Sequence, residues 1–577
     1  MKDTGEIQLQ GIAASRGISI GPAYCFSVPD LTIPHRQLES TSQEMSRFTN
    51  AIDSARAELQ ELHADLLKRA GEKEAAIFEA HQMILDDPTL RKKMEQQVEQ
   101  GQIIEQALMS AIEDFANMLA AMKDELFAAR AADVRDVGRR ILRILLGLPD
   151  QSLKMVHSPS IIMAQDLTPS DTASMDPKLS LGFCTAAGGL TSHSAILART
   201  LGIPAIVALG EELSQKVSPG DLVILDGLEG ILIVHPCEET LQKYRHIQEK
   251  QAARDREFRS NAMQPARTAD GKMIEVAANI GSAESARMAV ANGAEGVGLL
   301  RTEFLYLEEK EPPTEEKQFG IYKEIFEIMG QRPVIVRTLD IGGDKPPSYL
   351  RFPQEMNPFL GWRAIRISLD RPELFKTQLR AILRAAFGYQ VRIMFPMIDG
   401  LDELRRARQM VEEAKNELKV EAVPYAEDIP VGIMVETPAA AVLVDVLSEA
   451  ADFFSLGTND LTQYTLAVDR GNATIASLYQ PLHPAVLRLI KQTIDLAHQK
   501  GKWVGMCGEL AGMSTAIPIL LGLGLDEFSM NPRAIPESKN LINHLTVEQS
   551  HHIAEKVLSL GTSAEIEAYI RQVLADL

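Results

Sequence analysis

Between residues 263 and 577 the chain alternates short apolar or β-branched runs with helical stretches. The runs are MIEVAANI, GVGLLRTEF, PVIVRTLD, VRIMFPMI, VGIMVETP, FFSLGTND, KWVGMCGE and EFSMNP. Eight such runs within about 300 residues, most of them separated by a helical pattern, predict a (β/α)8 barrel. In that fold the residues at the C-terminal ends of the strands face the site of chemistry. Those ends hold Arg301, Arg337, Glu436, Asn459 with Asp460, Cys507 and, shortly after the sixth run, Arg470. Arginines supply forked donors for phosphate and carboxylate. Glu436 and Asp460 can hold Mg²⁺ through hard oxygen ligands, with substrate oxygens and water completing the octahedron. A lone free cysteine is most often a small core hydrophobe. In GMCGEL, at the end of the seventh run and facing an anion site, Cys507 is also a candidate proton donor.

The first half has a different texture. Residues 7–28 read as short strands broken by glycine. From Thr41, with Glu44 as its capping-box partner, Met45, Phe48, Ile52, Ala55, Leu59, Leu62 and Leu66 recur at steps of three and four. Further stripes at Ile77, Phe78, His81, Ile84 and Leu85, and at Val134, Val137, Ile141 and Leu142, complete a helical bundle over 35–147. Runs such as SIIMAQ, GFCTAA, AIVALG, LVILDG and GILIVHP then alternate with helices to give a compact α/β domain. The first thirty residues can complete its sheet, which makes the bundle an insertion. Residues 237–262 are highly charged with sparse apolar positions and read as an exposed connecting helix, with a disordered linker as the alternative.

The totals narrow the partners. A net charge of −20 over 577 residues argues against nucleic acid or an anionic membrane as the main partner and suits a basic protein, or a small anionic substrate gathered by a local basic cleft. Four cysteines without a CxxC pair indicate neither a zinc knuckle nor a disulfide framework. MKDTGEIQLQ has no apolar leader core, and no run of about 18 uninterrupted apolar residues follows, so a cytoplasmic chain is expected.

One motif poses a question of its own. In GGLTSHSAILART, residues 188–200, Thr191 or Ser192 caps a helix, and Ile196, Leu197 and Thr200 share one side of it while Arg199 points outward. His193 is thereby displayed at a helix start, where free amides and the helix dipole favour an anion. No second metal ligand follows at i+4, and no GxSxG elbow accompanies it. A nucleophilic imidazole that accepts a phosphoryl group fits this setting best, because the product dianion meets amides and hydroxyls.

GGLTSHSAILARTLGIPAIV resembles the phosphohistidine segment of the phosphoenolpyruvate-utilising enzymes, and DFFSLGTNDLTQYTLAVDR looks like their second signature. RTEFLY, VIVRTLDIGGDK, NPFLGWRAIR, MVETPAA and MCGELAG are similar, in order, to the enzyme I family of the bacterial sugar phosphotransferase system. GEKEAAIFEAHQMILDD resembles that family's phosphocarrier-binding helices, and the likeness spans essentially the whole chain. The resemblance implies a multidomain α/β fold: a swivelling phosphohistidine α/β domain (1–34 and 148–236) with an inserted helical carrier-binding domain (35–147). A linker helix (237–262) and a phosphoenolpyruvate-binding, dimer-forming (β/α)8 barrel (263–577) follow. It implies transfer from phosphoenolpyruvate to His193, through Nε2, and on to a histidine-containing phosphocarrier protein. Arg301, Arg337, Asn459, Asp460 and Arg470 would hold the substrate, Glu436 and Asp460 Mg²⁺, and Cys507 would protonate the enolate. Lys345 and Arg363 are further candidates, and Thr172 is a hydrogen-bond partner for the His193 ring. A nitrogen-type paralogue with a regulatory role is the alternative. The related dikinases need a large ATP-binding domain, and nothing in 35–147 resembles one.

Overall fold

The computed structural model divides into two units, Met1–Ala252 and Ala253–Leu577. It describes all residues except 1–4, 28–30, 35, 39, 71, 121–124, 149–152, 154–155, 177, 190–191, 308–310, 343–348, 351, 353–354, 471, 473–474 and 577. The side chains of 67–70, 72–76, 120, 125–130, 193, 200, 254–255, 259, 476 and 576 also lie outside the description.

In the first unit β1 (Ile7–Gln10), β2 (Ile12–Ser15) and β3 (Ile18–Phe26) join β4 (Ser160–Ala164), β5 (Ser180–Thr185), β6 (Ala205–Val207), β7 (Leu222–Asp226) and β8 (Ile231–Val234). They form one eight-stranded sheet in the order β1-β8-β7-β3-β4-β5-β6-β2. The central strand β4 is buried throughout, and its side chains alternate between two cores. Ile161 and Met163 pack with Cys184, Val223 and Leu225, while Ile162 and Ala164 pack with Phe183, Ala195 and Ala198. This period of two, with both faces covered, is why the runs read as continuously apolar.

Between β3 and β4 the chain forms α1 (Thr41–Ala70), α2 (Glu72–Leu85), α3 (Pro88–Glu99), α4 (Ile104–Ala120) and α5 (Glu125–Leu145). Phe48, Ile52, Ala55, Leu59, Leu62 and Leu66 face a shared core with Phe78, Val134, Val137 and Ile141, as the three-four spacing requires. The expected capping box does not form as drawn. Thr41 is already helical, and Glu44 is buried with its carboxylate accepting from Arg36 (2.7 Å) and from the Ile104 N–H (2.9 Å). Arg36 also reaches the buried Glu105 at 2.6 Å, so it ties the segment entering α1 to α4.

After the bundle come α6 (Pro169–Ala173), α7 (His193–Leu201), α8 (Glu212–Lys216) and α9 (Glu238–Ala262). Among the described side chains of α7, Ser194, Ala195, Leu197 and Ala198 are buried, whereas Ile196 is 38% exposed, so the helix faces the core one step away from the expected side. The charged segment forms a continuous helix, α9.

The second unit is the closed barrel. β9 (Glu275–Ile280), β10 (Val297–Leu300), β11 (Val334–Arg337), β12 (Val391–Phe395), β13 (Val431–Val435), β14 (Phe454–Leu456), β15 (Val504–Met506) and β16 (Glu527–Met530) pair in parallel, and β16 returns to β9. All eight predicted runs are barrel strands. Leu299, Ile335, Met394, Met434 and Phe453 fill one interior cluster, while the alternate residues Leu300, Val336, Ile393 and Ile433 join the larger core with the surrounding helices. No helix among the described residues is long and apolar enough to cross a membrane.

Candidate active site

Arg337 is the last residue of β11, so its side chain leaves the strand at the barrel's C-terminal mouth. Its Nη2 donates to Glu303 Oε1 at 2.7 Å, and Nη1 lies 3.0 Å from Asp340 Oδ2. Asp340 is shared, because its Oδ1 accepts from Arg363 Nη2 at 3.1 Å. Arg363 Nη2 lies 3.6 Å from Asp460 Oδ2, and Nη1 donates to the Tyr464 hydroxyl at 3.0 Å. A buried chain of alternating charge therefore runs Glu303–Arg337–Asp340–Arg363–Asp460. Both arginines retain a buried Nε–H with no acceptor. Each orphan donor costs about 1–3 kcal/mol, a penalty that a bound anion could relieve.

Glu436 follows β13 and is almost fully buried. Its Oε1 accepts the Met397 N–H at 2.6 Å. Met397, just beyond β12, holds φ at 57°, in the left-handed region that a side chain adopts at a cost of order 1–3 kcal/mol. Burial, then the neighbouring Asp340 and Asp460 charges, push the Glu436 carboxyl up to about 8, against the pull of Arg337 and Arg363. Burial would raise Asp340 as well, but Arg337 and Arg363 outweigh it and hold that carboxyl below its usual range.

Asn459 and Asp460 lie in the first turn of the helix Thr458–Leu466, which follows β14. Asn459 is locked by a reciprocal pair: its Oδ1 accepts the Glu509 N–H at 3.0 Å, and its Nδ2 donates to Glu509 Oε1 at 3.3 Å. The Tyr479 hydroxyl donates to the Asn459 carbonyl at 3.3 Å. Cys507 follows β15, is 4% exposed, and packs on Leu299, Ile335, Met394, Met434 and Phe453. Its thiol donates to Leu456 O at 3.8 Å. Burial pushes that thiol up to about 11, so it stays protonated at neutral pH.

The remaining expected residues are less tightly held. Arg301 follows β10 and is exposed, with its backbone N–H on Ile280 O at 2.9 Å and its charge felt by Asp340. Arg470 is also exposed; its N–H donates to Gln463 Oε1 at 3.1 Å and its charge is felt by Tyr479. Lys345 lies outside the described residues. His193 is the first residue of α7, behind an N-cap Ser192 whose hydroxyl accepts from Ala195 N; Thr191 and the His193 side chain lie outside the description. Thr172 is fully buried and its hydroxyl donates to its own helix, at Thr168 O, 3.1 Å. Sequence reasoning passed over Asp340, Glu303 and Tyr464. Asp340 stands three residues after Arg337 in the same VIVRTLD run, and its place beside a strand-end arginine was the available signal.

Three family models match in order along the chain: PEP-utilising enzyme, N-terminal, over 10–130; the mobile domain over 156–230; and the PEP-binding domain over 255–547. Proteins named phosphoenolpyruvate-protein phosphotransferase from Bacillus sp. (strain S) and Geobacillus stearothermophilus are each 47% identical over 571 residues, covering 99% of both chains. That of Bacillus subtilis (strain 168) is 44% identical over 566 residues, covering 98% of this chain and 99% of its own. With that identity along nearly its whole length, the chain belongs to the phosphoenolpyruvate-protein phosphotransferase family of PEP-utilising enzymes.

Proposed function

We propose that this enzyme takes the phosphoryl group of phosphoenolpyruvate onto His193, releases pyruvate, and passes the group to a histidine-containing phosphocarrier protein, the first step of the sugar phosphotransferase system. The full-length identity to proteins of that name supports the reaction. The observation that supports the site is the buried Glu303–Arg337–Asp340–Arg363–Asp460 chain at the barrel strand ends, with its two orphaned guanidinium donors.

Arg301, Arg337, Asn459, Asp460 and Arg470, with Arg363 beside them, hold the phosphate and carboxylate of the substrate. The Nε2 lone pair of His193 attacks phosphorus in line, and the bond to the enol oxygen breaks. Its electron pair remains on oxygen as the pyruvate enolate. Cys507 gives its proton to the enolate methylene carbon, which becomes the methyl of pyruvate, and the thiolate recovers a proton from water. A carrier imidazole then attacks the phosphohistidine, breaking P–N and restoring neutral His193. Loose phosphoryl transfer needs position and charge neutralisation more than covalent chemistry, and clustered arginines supply both.

The residues also fit Mg²⁺. Burial and the charges of Asp340 and Asp460 raise the cost of ionising Glu436, and a cation held between Glu436 and Asp460 would relieve it. Among the described residues no three His, Cys, Asp or Glu side chains form a complete metal cage. Magnesium takes one or two protein carboxylates and completes its shell with water and substrate oxygens. When bound, it would screen the charge on the phosphoryl and enol oxygens. Residues 1–34 with 148–236 serve as the phosphohistidine domain, 35–147 as the carrier-binding domain, 237–262 as the linker and 263–577 as the barrel, which pairs two copies in a cytoplasmic homodimer.

Labelled phosphoenolpyruvate, without ATP, should label the protein only with Mg²⁺ present, and the labelled protein should transfer to one member of a panel of phosphocarriers. Full labelling in excess chelator would remove the metal from this scheme. Transfer to a nitrogen-type carrier alone would favour the regulatory paralogue.

A further inference from the structure

The linker helix α9 is fixed at both ends by different means. At its start Leu241 and Tyr244 pack with Ile224 and Ile233, the Tyr244 hydroxyl donates to Asp226 Oδ2 at 3.1 Å, and Gln248 Nε2 donates to Ile18 O at 2.8 Å. At its end Ala262 is buried and meets a site built on the barrel. Lys539, in the helix Ile535–His544, is the one buried lysine among the described residues, 2% exposed. Its ammonium donates to Ala262 O and Gln264 O, each at 2.9 Å, and lies 2.7 Å from Glu295 Oε1. Those three acceptors saturate the three N–H donors. Glu295 Oε1 also accepts the Ala266 N–H at 2.7 Å, so one carboxylate holds the lysine and the strand-ward chain together. Gly293, at φ 80°, lets the backbone of Ala262 approach so closely that a Cβ there would collide with its carbonyl. A cation on the last carbonyls of a helix is favoured by their orphaned lone pairs and by the helix dipole. Between these two anchors, the described side chains from Glu249 to Glu257 are all exposed.

We infer that Lys539, with Glu295, is a positioning residue for the phosphoryl transfer: it fastens the end of α9 to the barrel and confines bending of the linker to Glu249–Glu257. This rests on the proposed reaction, in which His193 and the barrel site belong to separate units and must meet. A buried ammonium must find acceptors, and the ones Lys539 takes are the carbonyl of the last residue of α9 and that of Gln264 just after it. Loss of the clamp frees the helix end and widens the range of His193 positions, which slows the step that needs both units. Steps confined to one unit keep their rates.

The test compares the full-length parent with Lys539→Met, of similar length and without charge, and with Glu295→Gln, which weakens the same clamp more gently. Thermal melts establish that each variant is folded. Three quantities are then read: the rate of labelling from phosphoenolpyruvate, the affinity for phosphoenolpyruvate, and the rate at which pre-labelled protein transfers to the phosphocarrier. Both variants are expected to lose labelling rate, about tenfold or more for Lys539→Met, consistent with the sensitivity of such reactions to small misplacements. Affinity and transfer to the carrier are expected to stay within twofold of the parent, and Lys539→Arg to recover most of the labelling rate. Unchanged labelling in folded Lys539→Met or Glu295→Gln overturns the clamp, as does an equal loss in the carrier step. If the parent itself takes no label, the proposed reaction fails first, and that outcome is distinct from a failure of the clamp.

Discussion

Gly508 offers a way to move the proposed catalytic groups by a known amount. It follows Cys507 and lies against the first turn of the helix that carries Asn459 and Asp460. A Cβ at Gly508 would strike the Thr458 hydroxyl and stand 2.6 Å from the Thr458 backbone nitrogen. Ordinary contact begins at 3.4 Å, so Gly508→Ala must part these two segments by roughly 0.8 Å. Neither neighbour can yield cheaply, because the near atom is main chain at a helix start. Overpacking of this kind costs about 1–3 kcal/mol of stability. A displacement near 1 Å between reacting groups costs about 10²-fold in rate. Gly508→Ala should therefore lower the rate of phosphorylation by phosphoenolpyruvate by one to two orders of magnitude in protein that still melts cooperatively. Gly320, exposed and with nothing within 4 Å of an added Cβ, is the control. Gly320→Ala should gain about 0.5–1 kcal/mol of stability at unchanged rate. Stopped-flow labelling and thermal melts read both quantities. A folded Gly508→Ala that phosphorylates at the parent's rate would refute the placement of Cys507 and Asp460 in one reacting site.

Cys507→Ala should slow pyruvate formation by about 10²–10⁴-fold while phosphoenolpyruvate affinity changes little; a modest stability loss with intact turnover would return Cys507 to the barrel core alone. On the bundle, Met83 is 75% exposed beside Asp86, which pairs with Arg56 at 2.8 Å on the surface. Asp86→Lys, losing a pair worth at most about 1 kcal/mol, should weaken transfer to a basic phosphocarrier most at low salt and spare labelling of His193; equal rates across a salt series would place docking elsewhere. Asp87 is unsuited to that test because its carboxylate caps α3 by accepting from Thr89 N at 2.7 Å. Burial, and then the Asp136 charge, push the Asp171 carboxyl up to about 6, so its contribution to stability is complete only at acid pH and declines as pH rises from about 4 to about 6. Urea denaturation across that window should show a shallower loss for Asp171→Asn than for the parent, and parallel curves would contradict the assignment.

The fold was legible wherever one physical period dominated. Strands buried on both faces read as unbroken apolar runs, and all eight barrel strands follow from that. Bundle residues from Phe48 to Leu66 follow from the three-four step. The strand-end logic placed Arg337, Glu436, Asp460 and Cys507 at or just beyond barrel strand ends, where the structure has them, because a barrel presents those positions whatever its loops do. Asp340 and Glu303 were hidden for the converse reason: they lie in loops beyond the strand ends, and only the folded chain shows that Asp340 binds two arginines. Glu44 was misjudged because a capping box is a local pattern, while its actual partners, Arg36 and Ile104, are brought to it by the bundle. Ile196 was misplaced because in a helix as short as α7 the apolar arc can start at either of two adjacent residues.

His193, the first residue of α7, is proposed to carry the phosphoryl group. Incubation with phosphoenolpyruvate labelled in its phosphoryl group, followed by proteolysis under alkaline conditions and mass spectrometry, locates the modification directly. One acid-labile phosphoryl group per chain is expected, on the peptide containing GGLTSHSAILAR, and none in His193→Ala protein that still binds phosphoenolpyruvate. Label on any other residue, or stoichiometric label on His193→Ala, would contradict it.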